Sequence, residues 1–335
     1  MARQSSIDLD SPDRPFDNII NFRDVGRSIN QFCGVQMLKE GVLFRSARLD
    51  DASERDKRRL AEELHIATVI DLRSPTEHQM ATRKRRAENA GAGENVSDTD
   101  LTGAAVPVDA GEHLLQIPES HRALISLTGK ALERSLLWKL DWFHYMYANP
   151  SAPSSPDPLV RCHSNAPLNR KVLAMAATGY RPAAVRIVGE QVMQPRGLTG
   201  LAQDTLDASM AELRAVFELL ARDDAYPILV HCTQGKDRTG LVVLMTLLLA
   251  GDTVPAPAIV DDYTRSELEL VPEFEERMRE IRLLGLGEAY TRCPSDFVAA
   301  TTEYLQSQYG GVTEYLTDIG IDAAMQKRIR QKILV

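Results

Sequence analysis

The segment spanning residues 226–240 constrains the fold more than any other part of the chain. Residues 226–230 are a short apolar run typical of a buried strand, and residues 239–250 are apolar almost all round, as a buried central helix requires. The polar, glycine-containing residues 231–238 lie between them. A buried strand that passes through a tight loop into a buried helix predicts a layered α/β domain.

Two more strands and a connecting helix are predicted near the beginning of the chain. Residues 42–44 and the β-branched run at residues 68–70 are typical of strands. Between them, Ser53-Glu54-Arg55-Asp56 resembles a capping box and predicts the start of a short helix. Strand, helix and strand in this order indicate a parallel crossover unit. We therefore expect an α/β fold with a central, mostly parallel sheet flanked by helices.

The later part of the chain is predicted to be largely helical. Apolar residues recur at helical spacing between residues 206 and 220, which predicts one amphipathic helix before the strand at residue 226. A further helix carries Phe297 and is expected to stop at Gly310-Gly311. Ile321, Met325, Ile329 and Ile333 mark a final helix, so the C-terminal part is expected to be helical.

The domain organisation is predicted from shifts in composition. Residues 1–17 are polar and are expected to be a flexible lead, and residues 18–335 are expected to form a single domain. An insertion is expected at about residues 83–195, where the composition changes. Within it, residues 136–147 hold both tryptophans and three further aromatic residues. This aromatic segment is either a helix packed on the core or a lid or wall of the substrate site.

The charge and the cysteine content exclude several classes of function. The chain has 39 basic and 47 acidic residues, so no overall positive charge attracts nucleic acid. Its four cysteines, Cys33, Cys162, Cys232 and Cys293, form no CxxC pair and no zinc-ligand spacing. No metal and no cofactor are therefore predicted. With no signal-type N-terminus and no apolar run long enough to span a bilayer, we expect a cytoplasmic protein.

The loop at residues 231–238 combines a nucleophile with an anion cradle. Cys232 ends the predicted strand and Arg238, six positions later, begins the predicted helix. The backbone N–H groups between them can surround one oxyanion, and the helix N-terminus adds partial positive charge. Gly235 and Gly240 allow tight turns and close approach. Such a cradle binds a phosphate dianion and favours the thiolate form of Cys232, while Arg238 can hold two phosphoryl oxygens.

This loop has three alternative interpretations. An inert cysteine at a strand end is the simplest one. A Walker phosphate loop fails, because Val230 stands where it requires glycine and Asp237 where it requires Ser or Thr. A non-catalytic phosphate-binding adaptor is disfavoured, since nucleophile and clamp are both present.

The segment from His231 to Gly240 resembles the signature loop of the protein tyrosine phosphatase superfamily. Further stretches resemble motifs of its atypical tyrosine/serine branch of fungal and bacterial type: residues 21–26, residues 44–46, residues 71–74 with Glu77, residues 261–263 with Ser266, and residues 309–316. This resemblance implies one α/β phosphatase domain, no metal, and activity on phosphotyrosine. Relatives also act on phosphoserine, phosphothreonine or phosphoinositides, so a phosphoinositide or small-metabolite phosphatase is the alternative.

The resemblance also implies roles for individual residues. Cys232 would be the nucleophile, Arg238 the clamp, and His231 and Thr239 would support the cysteine. The N–H groups of six residues would bind the substrate phosphate: Thr233, Gln234, Gly235, Lys236, Asp237 and Arg238. No Trp-Pro-Asp sequence is present, so Asp237 is the candidate general acid, with Asp204 and Asp207 as more remote candidates.

Four further residues carry two interpretations each. Lys236 either attracts a second phosphate or only adds positive charge to the loop. Arg45, Asp71 and Arg73 lie at predicted strand ends, where crevice residues gather. They either take part in the site or form a buried ion-pair network that fixes its loops.

Overall fold

The computed structural model describes residues 16–89, 114–148, 172 and 181–335 of the chain. In this part, five short strands form one sheet. They are β1 (Arg23–Asp24), β2 (Leu43–Ser46), β3 (Thr68–Asp71), β4 (His121–Leu124) and β5 (Ile228–His231).

Helices cover both faces of this sheet. Those before β5 are α1 (Val25–Cys33), α2 (Glu54–Arg58), α3 (Pro75–Asn89), α4 (Lys130–Ala148), α5 (Arg181–Val188), α6 (Gln194–Ala208) and α7 (Met210–Leu220). Those after β5 are α8 (Asp237–Leu249), α9 (Ala256–Glu269), α10 (Phe274–Leu283), α11 (Phe297–Tyr309), α12 (Val312–Asp318) and α13 (Ala323–Ile333). The helical C-terminal part is therefore confirmed.

The sheet has the strand order β1-β2-β5-β3-β4, and only β1 is antiparallel to its neighbour. His231 on β5 pairs with Ser46 on one side and with Asp71 on the other. The carboxyl ends of these parallel strands therefore meet at one edge, where ligands of open α/β sheets bind. The predicted fold class, a mostly parallel sheet flanked by helices, is confirmed.

Apolar side chains alternate between the two faces of the central strands, as a pleated strand requires. Ile228 and Val230 join the larger core, which contains α8 and the C-terminal helices, whereas Leu229 joins a smaller core on the other face. Because both faces are covered, β5 is fully buried, and its residues before His231 are all apolar. This burial holds the residue that follows β5, Cys232, in a fixed place.

Three local predictions agree with the structure. Ser53 caps α2 through a reciprocal capping box with Asp56, and α11 ends at Gly310 in the left-handed conformation. The predicted strands lie within two residues of β2, β3 and β5. One helix prediction was wrong: residues 206–220 are divided between α6 and α7, because Ser209 leaves the helical conformation.

The domain boundaries stay a prediction, and the structure adds contacts at both of them. Phe16, in the predicted lead, is buried and its ring lies 4.4 Å from that of Phe22. The insertion expected at residues 83–195 supplies β4, which pairs with β3 in the main sheet. It also supplies α4 and α5, which form a separate small apolar cluster with α6. We name α4, α5 and α6, with the helical turn Gly189–Met193 that joins the last two, the helical unit.

The aromatic segment at residues 136–147 lies in α4. Leu136 and Leu140 are buried in the helical unit, whereas Trp138 is exposed. The side chains of residues 141–147, Trp142 included, lie outside the described residues. The interpretation as a lid or substrate wall therefore stays a prediction. Among the described helices, none combines the length and the apolar character needed to cross a membrane.

Candidate active site

Cys232 lies directly after β5 and is almost completely buried. The loop that follows turns at Gly235, whose φ is +66°. A β-carbon at this position would lie 2.1 Å from the carbonyl oxygen of Ser46. Only glycine therefore fits, both for its conformation and for the space available. The backbone N–H of Gly235 lies 3.2 Å from Sγ of Cys232, so the loop closes around the sulfur.

Three consecutive carbonyl groups of this loop accept hydrogen bonds from outside it. The donors are N of Arg48 to Thr233 (3.0 Å), Nδ2 of Asn21 to Gln234 (2.9 Å) and Nη2 of Arg45 to Gly235 (2.7 Å). In a trans peptide the C=O and the following N–H point to opposite sides. The three carbonyls are held outward, so the next three N–H groups face the inside of the loop. The result is an oxyanion cradle beside Cys232.

Arg238 is oriented by a carboxylate that comes from α3. Its Nη1 and Nη2 donate to Oε2 and Oε1 of Glu77 at 2.7 and 2.6 Å, a bidentate pair. Burial raises the pKa of Glu77, but the charge and hydrogen bonds of Arg238 outweigh it and lower the pKa to about 2. The same pair raises the pKa of Arg238, against the effect of its burial. Both groups are therefore ionised across the physiological range.

Glu77 is itself held by the loops on both sides. Thr233 donates its hydroxyl to Oε1 at 2.5 Å, and the N–H of Ser74 donates to Oε2 at 2.8 Å. In the sequence, Glu77 stands out only as part of a motif and has no predicted role. Its spacing after Asp71-Leu72-Arg73-Ser74 was the only available signal. In the structure, Glu77 orients the guanidinium of Arg238.

Arg45 contacts the loop from the opposite side and is part of a buried ion-pair group. Its Nη1 lies 2.5 Å from Oδ2 of Asp262 on α9, and Nε of Arg23 lies 2.8 Å from Oδ1 of the same carboxylate. Burial raises the pKa of Asp262, yet the two arginines hold it below its usual value. Two cations for one anion leave net positive charge behind the phosphate cradle, which favours a dianion there.

Asp71 and Arg73 form a second buried network of ion pairs, next to the loop that leads to Glu77. Arg73 donates to Asp71 at 2.8 Å and to Asp50 at 2.5 Å. Burial opposes ionisation of Asp71, but its interactions with His231 and Arg73 outweigh this and hold its pKa well below the usual range. Of the two interpretations of Arg45, Asp71 and Arg73, the geometry matches the network that fixes the loops.

The residues beside Cys232 contact it less directly than expected. Nδ1 of His231 lies 3.2 Å from the carbonyl oxygen of Cys232, so it contacts the main chain and not the sulfur. Burial lowers the pKa of His231 to about 4, and the imidazole is neutral near pH 7. The hydroxyl of Thr239 is buried and has no hydrogen-bond partner among the described residues. It makes no direct hydrogen bond to the sulfur.

The side chain of Lys236 lies away from the cradle. Its Nζ donates to the carbonyl oxygens of Tyr290 and Arg292, both at 2.8 Å, and the side chain is fully buried. The hypothesis that this ammonium attracts a second phosphate stays a prediction, and its burial against two main-chain acceptors does not favour it. The backbone N–H of Lys236 still faces the cradle.

The carboxylates considered as general acid differ in their surroundings. Asp204 is buried between Arg196, at 2.7 Å, and Lys139. Asp207 accepts hydrogen bonds from the hydroxyls of Tyr304 and Tyr309 on α11. Both belong to contacts of α6 and not to the loop. Asp237 begins α8 and is part exposed, with Oδ1 3.3 Å from Nζ of Lys236.

The described residues contain no group of three or more His, Cys, Asp or Glu side chains arranged to hold a metal ion. Cys33, Cys232 and Cys293 are free thiols. Cys162 lies outside the described residues.

Comparison with known proteins agrees with this site. The tyrosine phosphatase family matches residues 14–335, including the segment between the motifs that the sequence resemblance had left uncovered. The chain is 27% identical over 333 residues to the triple specificity protein phosphatase PtpB of Mycobacterium tuberculosis (strain ATCC 25618 / H37Rv), which covers 94% of this chain and 96% of that one. It is 31% identical over 140 residues to the tyrosine-protein phosphatase of Nostoc commune, covering 38% of this chain and 46% of that one.

The chain belongs to the tyrosine phosphatase family. It is a phosphatase of the cysteine-dependent type. The family resemblance and the class of enzyme predicted from the signature loop are confirmed.

Proposed function

We propose that this phosphatase hydrolyses phosphotyrosine through a covalent phosphate ester of Cys232, with Arg238 as the clamp on the phosphoryl oxygens. The observation that carries the proposal is the set of three outward-held carbonyls, which aims three N–H groups at the space beside Sγ of Cys232. Preorganised donors of this kind stabilise the charge of the transferring phosphoryl group. The Arg238–Glu77 pair adds a guanidinium whose orientation is already set.

The two chemical steps balance without a cofactor. Sγ of Cys232 attacks phosphorus, a P–S bond forms, and the P–O bond to the leaving group breaks. The leaving oxygen takes a proton from Asp237. Water then attacks phosphorus, giving up a proton to Asp237, and the P–S bond breaks to release inorganic phosphate and the thiolate.

The substrate range is proposed to extend beyond phosphotyrosine to phosphoserine and phosphothreonine. The name of the mycobacterial relative, a triple specificity protein phosphatase, supports this extension. The ammonium of Lys236 does not support a polyphosphorylated substrate, because it is buried against main-chain carbonyls. A phosphoinositide or metabolite substrate therefore stands second to a phosphoprotein. The expected cytoplasmic location stays a prediction.

The decisive experiment is Cys232→Ser assayed on a substrate panel. The panel contains para-nitrophenyl phosphate, phosphotyrosine, phosphoserine and phosphothreonine peptides, and a phosphoinositide. Turnover should fall by about three orders of magnitude or more on every substrate, because no adjacent base activates a serine hydroxyl here. Binding of a phosphotyrosine peptide should be kept, because the cradle is made of main-chain groups.

A matched control for this variant is Cys293→Ser, which changes another buried free thiol. Burial raises the pKa of Cys293 to about 11, so this thiol is protonated near pH 7 and reacts slowly. Cys293→Ser should keep the wild-type rate, and iodoacetate should inactivate wild type and Cys293→Ser alike. Retention of more than about a tenth of the rate in Cys232→Ser would refute the covalent mechanism. Binding without turnover in the wild type would indicate a phosphate-binding adaptor.

Asp237 is tested through the leaving group. An aryl oxygen leaves with little help, whereas an alkoxide must be protonated as it departs. Asp237→Asn keeps the shape of the side chain and removes the proton. Its rate loss should therefore grow from nitrophenyl to phenyl to alkyl phosphates, measured as kcat/KM. An equal loss for all three would assign Asp237 to the scaffold of the loop.

A further inference from the structure

The fully buried ammonium of Lys236 needs an explanation, because a buried charge costs free energy unless acceptors surround it. An ammonium has three N–H donors. Two of them are used by the carbonyls of Tyr290 and Arg292, and the carboxylate of Asp237 lies 3.3 Å away and balances the charge. To reach a second phosphate on a substrate, this group would have to leave all three partners.

The acceptors belong to one short stretch, residues 287–293, which we name the clasp segment. A second buried cation, Arg277 of α10, donates to the carbonyl of Thr291 in the same stretch at 2.8 Å. Three consecutive carbonyls of the clasp segment are therefore held by two buried cations from different elements. The N–H of Cys293 is also held, by Glu267 of α9 at 2.7 Å. The segment is fastened along its length.

The clasp segment also contacts the helical unit. The hydroxyl of Tyr290 donates to the carbonyl of Met193, and the N–H of Gly287 donates to Oε1 of Gln194 at 2.7 Å. Just before it, the chain packs so closely on the helical unit that a β-carbon on Gly189 would lie 1.7 Å from the carbonyl oxygen of Leu284. The contact between the two is therefore close packing as well as hydrogen bonding.

We propose that Lys236 is a positioning residue that ties the phosphate loop to the clasp segment, and through it to the helical unit, and that its ammonium does not bind substrate. The inference rests on the proposed function, since it concerns the loop that carries Cys232. Loss of the tie leaves the first residues of α8 less firmly placed. It affects a monophosphate and the corresponding bisphosphate in the same way, because no substrate group is contacted.

The test is Lys236→Met, which keeps an unbranched side chain of similar length and removes the ammonium. We expect kcat to fall by about tenfold to a hundredfold, the cost of a small displacement of catalytic groups. The fall should be equal on a water-soluble phosphatidylinositol monophosphate and on the corresponding bisphosphate, with the ratio of their KM values unchanged. Amide hydrogen exchange in residues 287–293 should become faster.

Arg277→Met tests the same tie from a residue outside the loop. It should also speed up exchange in the clasp segment and lower kcat on both substrates, by a smaller factor than Lys236→Met. Because Arg277 lies on α10, this variant keeps the proposal testable even if Lys236→Met does not fold. The matched control is Arg282→Met, which removes an exposed cation of the same helix, outside the clasp segment. Its kcat and exchange should stay within about twofold of wild type.

A selective rise of KM for the bisphosphate in Lys236→Met, with no effect of Arg277→Met, would overturn the proposal and assign Lys236 to a second phosphate. Unchanged exchange in the clasp segment would overturn it as well. If the wild type hydrolysed none of the substrates, the proposed function would fail, whereas the exchange measurement would still decide whether the tie exists.

Discussion

The two sides of the phosphate loop are built differently. On one side, which we name the open side, Arg238 and Glu77 meet with 16% and 27% of their side chains exposed. On the other, the closed side, Arg45 and Asp262 are 1% and 2% exposed. On the open side the guanidinium bonds a side chain that solvent and substrate can reach. On the closed side, the guanidinium of Arg45 bonds a main-chain carbonyl and a carboxylate, and neither solvent nor substrate can reach these groups.

This difference separates two tasks. The donors of the open side can exchange partners when a phosphate arrives, because water is available to compensate for the change. The bonds of the closed side cannot be exchanged without leaving a buried charge unpaired, which is costly. The open side is therefore suited to binding and transition-state stabilisation, and the closed side to holding the loop backbone in shape. Variants on the two sides should fail in different ways.

The largest effect is expected from Arg238→Lys on the open side. A lysine has the charge but not the planar fork, so it can neither bind Glu77 in a bidentate way nor hold two phosphoryl oxygens. We expect kcat/KM for para-nitrophenyl phosphate to fall by about a hundredfold to a thousandfold. The melting temperature should fall less than in a variant of the closed side, since this pair is partly exposed and lysine keeps the positive charge. Arg214→Lys, at an exposed arginine paired with Glu218, is the control and should behave as wild type.

A smaller kinetic effect with a larger loss of stability is expected from Arg45→Met on the closed side. The variant leaves the carbonyl of Gly235 without its donor and leaves Asp262 with one arginine in place of two. We expect about 1–3 kcal/mol lower free energy of unfolding and a fall in kcat of about tenfold, through the loosened cradle. Urea unfolding measures the loss of stability, and steady-state kinetics measure the fall in kcat. A lower kcat with an unchanged free energy of unfolding would contradict the proposed distinction between the two sides.

The smallest effect, and one that depends on pH, is expected from Glu77→Gln. The variant keeps the shape but removes the charge that orients Arg238, so kcat should fall by severalfold. The pKa of Glu77 drops from its ordinary 4.5 to about 2 in the folded protein. The ion pair therefore contributes its full stabilisation above about pH 4.5 and loses it as the pH falls toward 2.

Denaturant unfolding of wild type and Glu77→Gln at a series of pH values checks this. The difference in free energy of unfolding between them should be constant near neutral pH and should shrink over the acidic range. A difference that is independent of pH down to about pH 2 would show that the charge of Glu77 does not stabilise the fold.

The part of the site that lies within one stretch of chain could be predicted from the sequence. The strand, the loop from Cys232 to Arg238 and the buried helix are contiguous, and their pattern reports local conformation directly. The capping box at Ser53 and the end of α11 at Gly310 were predictable for the same reason. The kink at Ser209 was not, because apolar spacing continues through it.

The partners of the loop could not be predicted, because they come from far along the chain. Asn21 is 213 positions from Gln234, and Glu77 is 161 positions from Arg238. The sequence around Asn21 or around Glu77 does not indicate which loop the side chain will contact. β4 was also missed, since its sequence His-Arg-Ala-Leu shows no apolar alternation and it lies at the edge of the sheet.

The sequence by itself determined that this chain has a cysteine-and-arginine phosphate loop between a buried strand and a buried helix. Those features depend on residues that are neighbours in the chain. Only the tertiary structure decided that β5 lies between β2 and β3, which brings Arg45 and Glu77 to opposite sides of the loop. It also decided that Lys236 faces inward. The direction of a side chain that leaves a tight loop depends on which buried acceptors lie nearby, and here those are carbonyls more than fifty residues away.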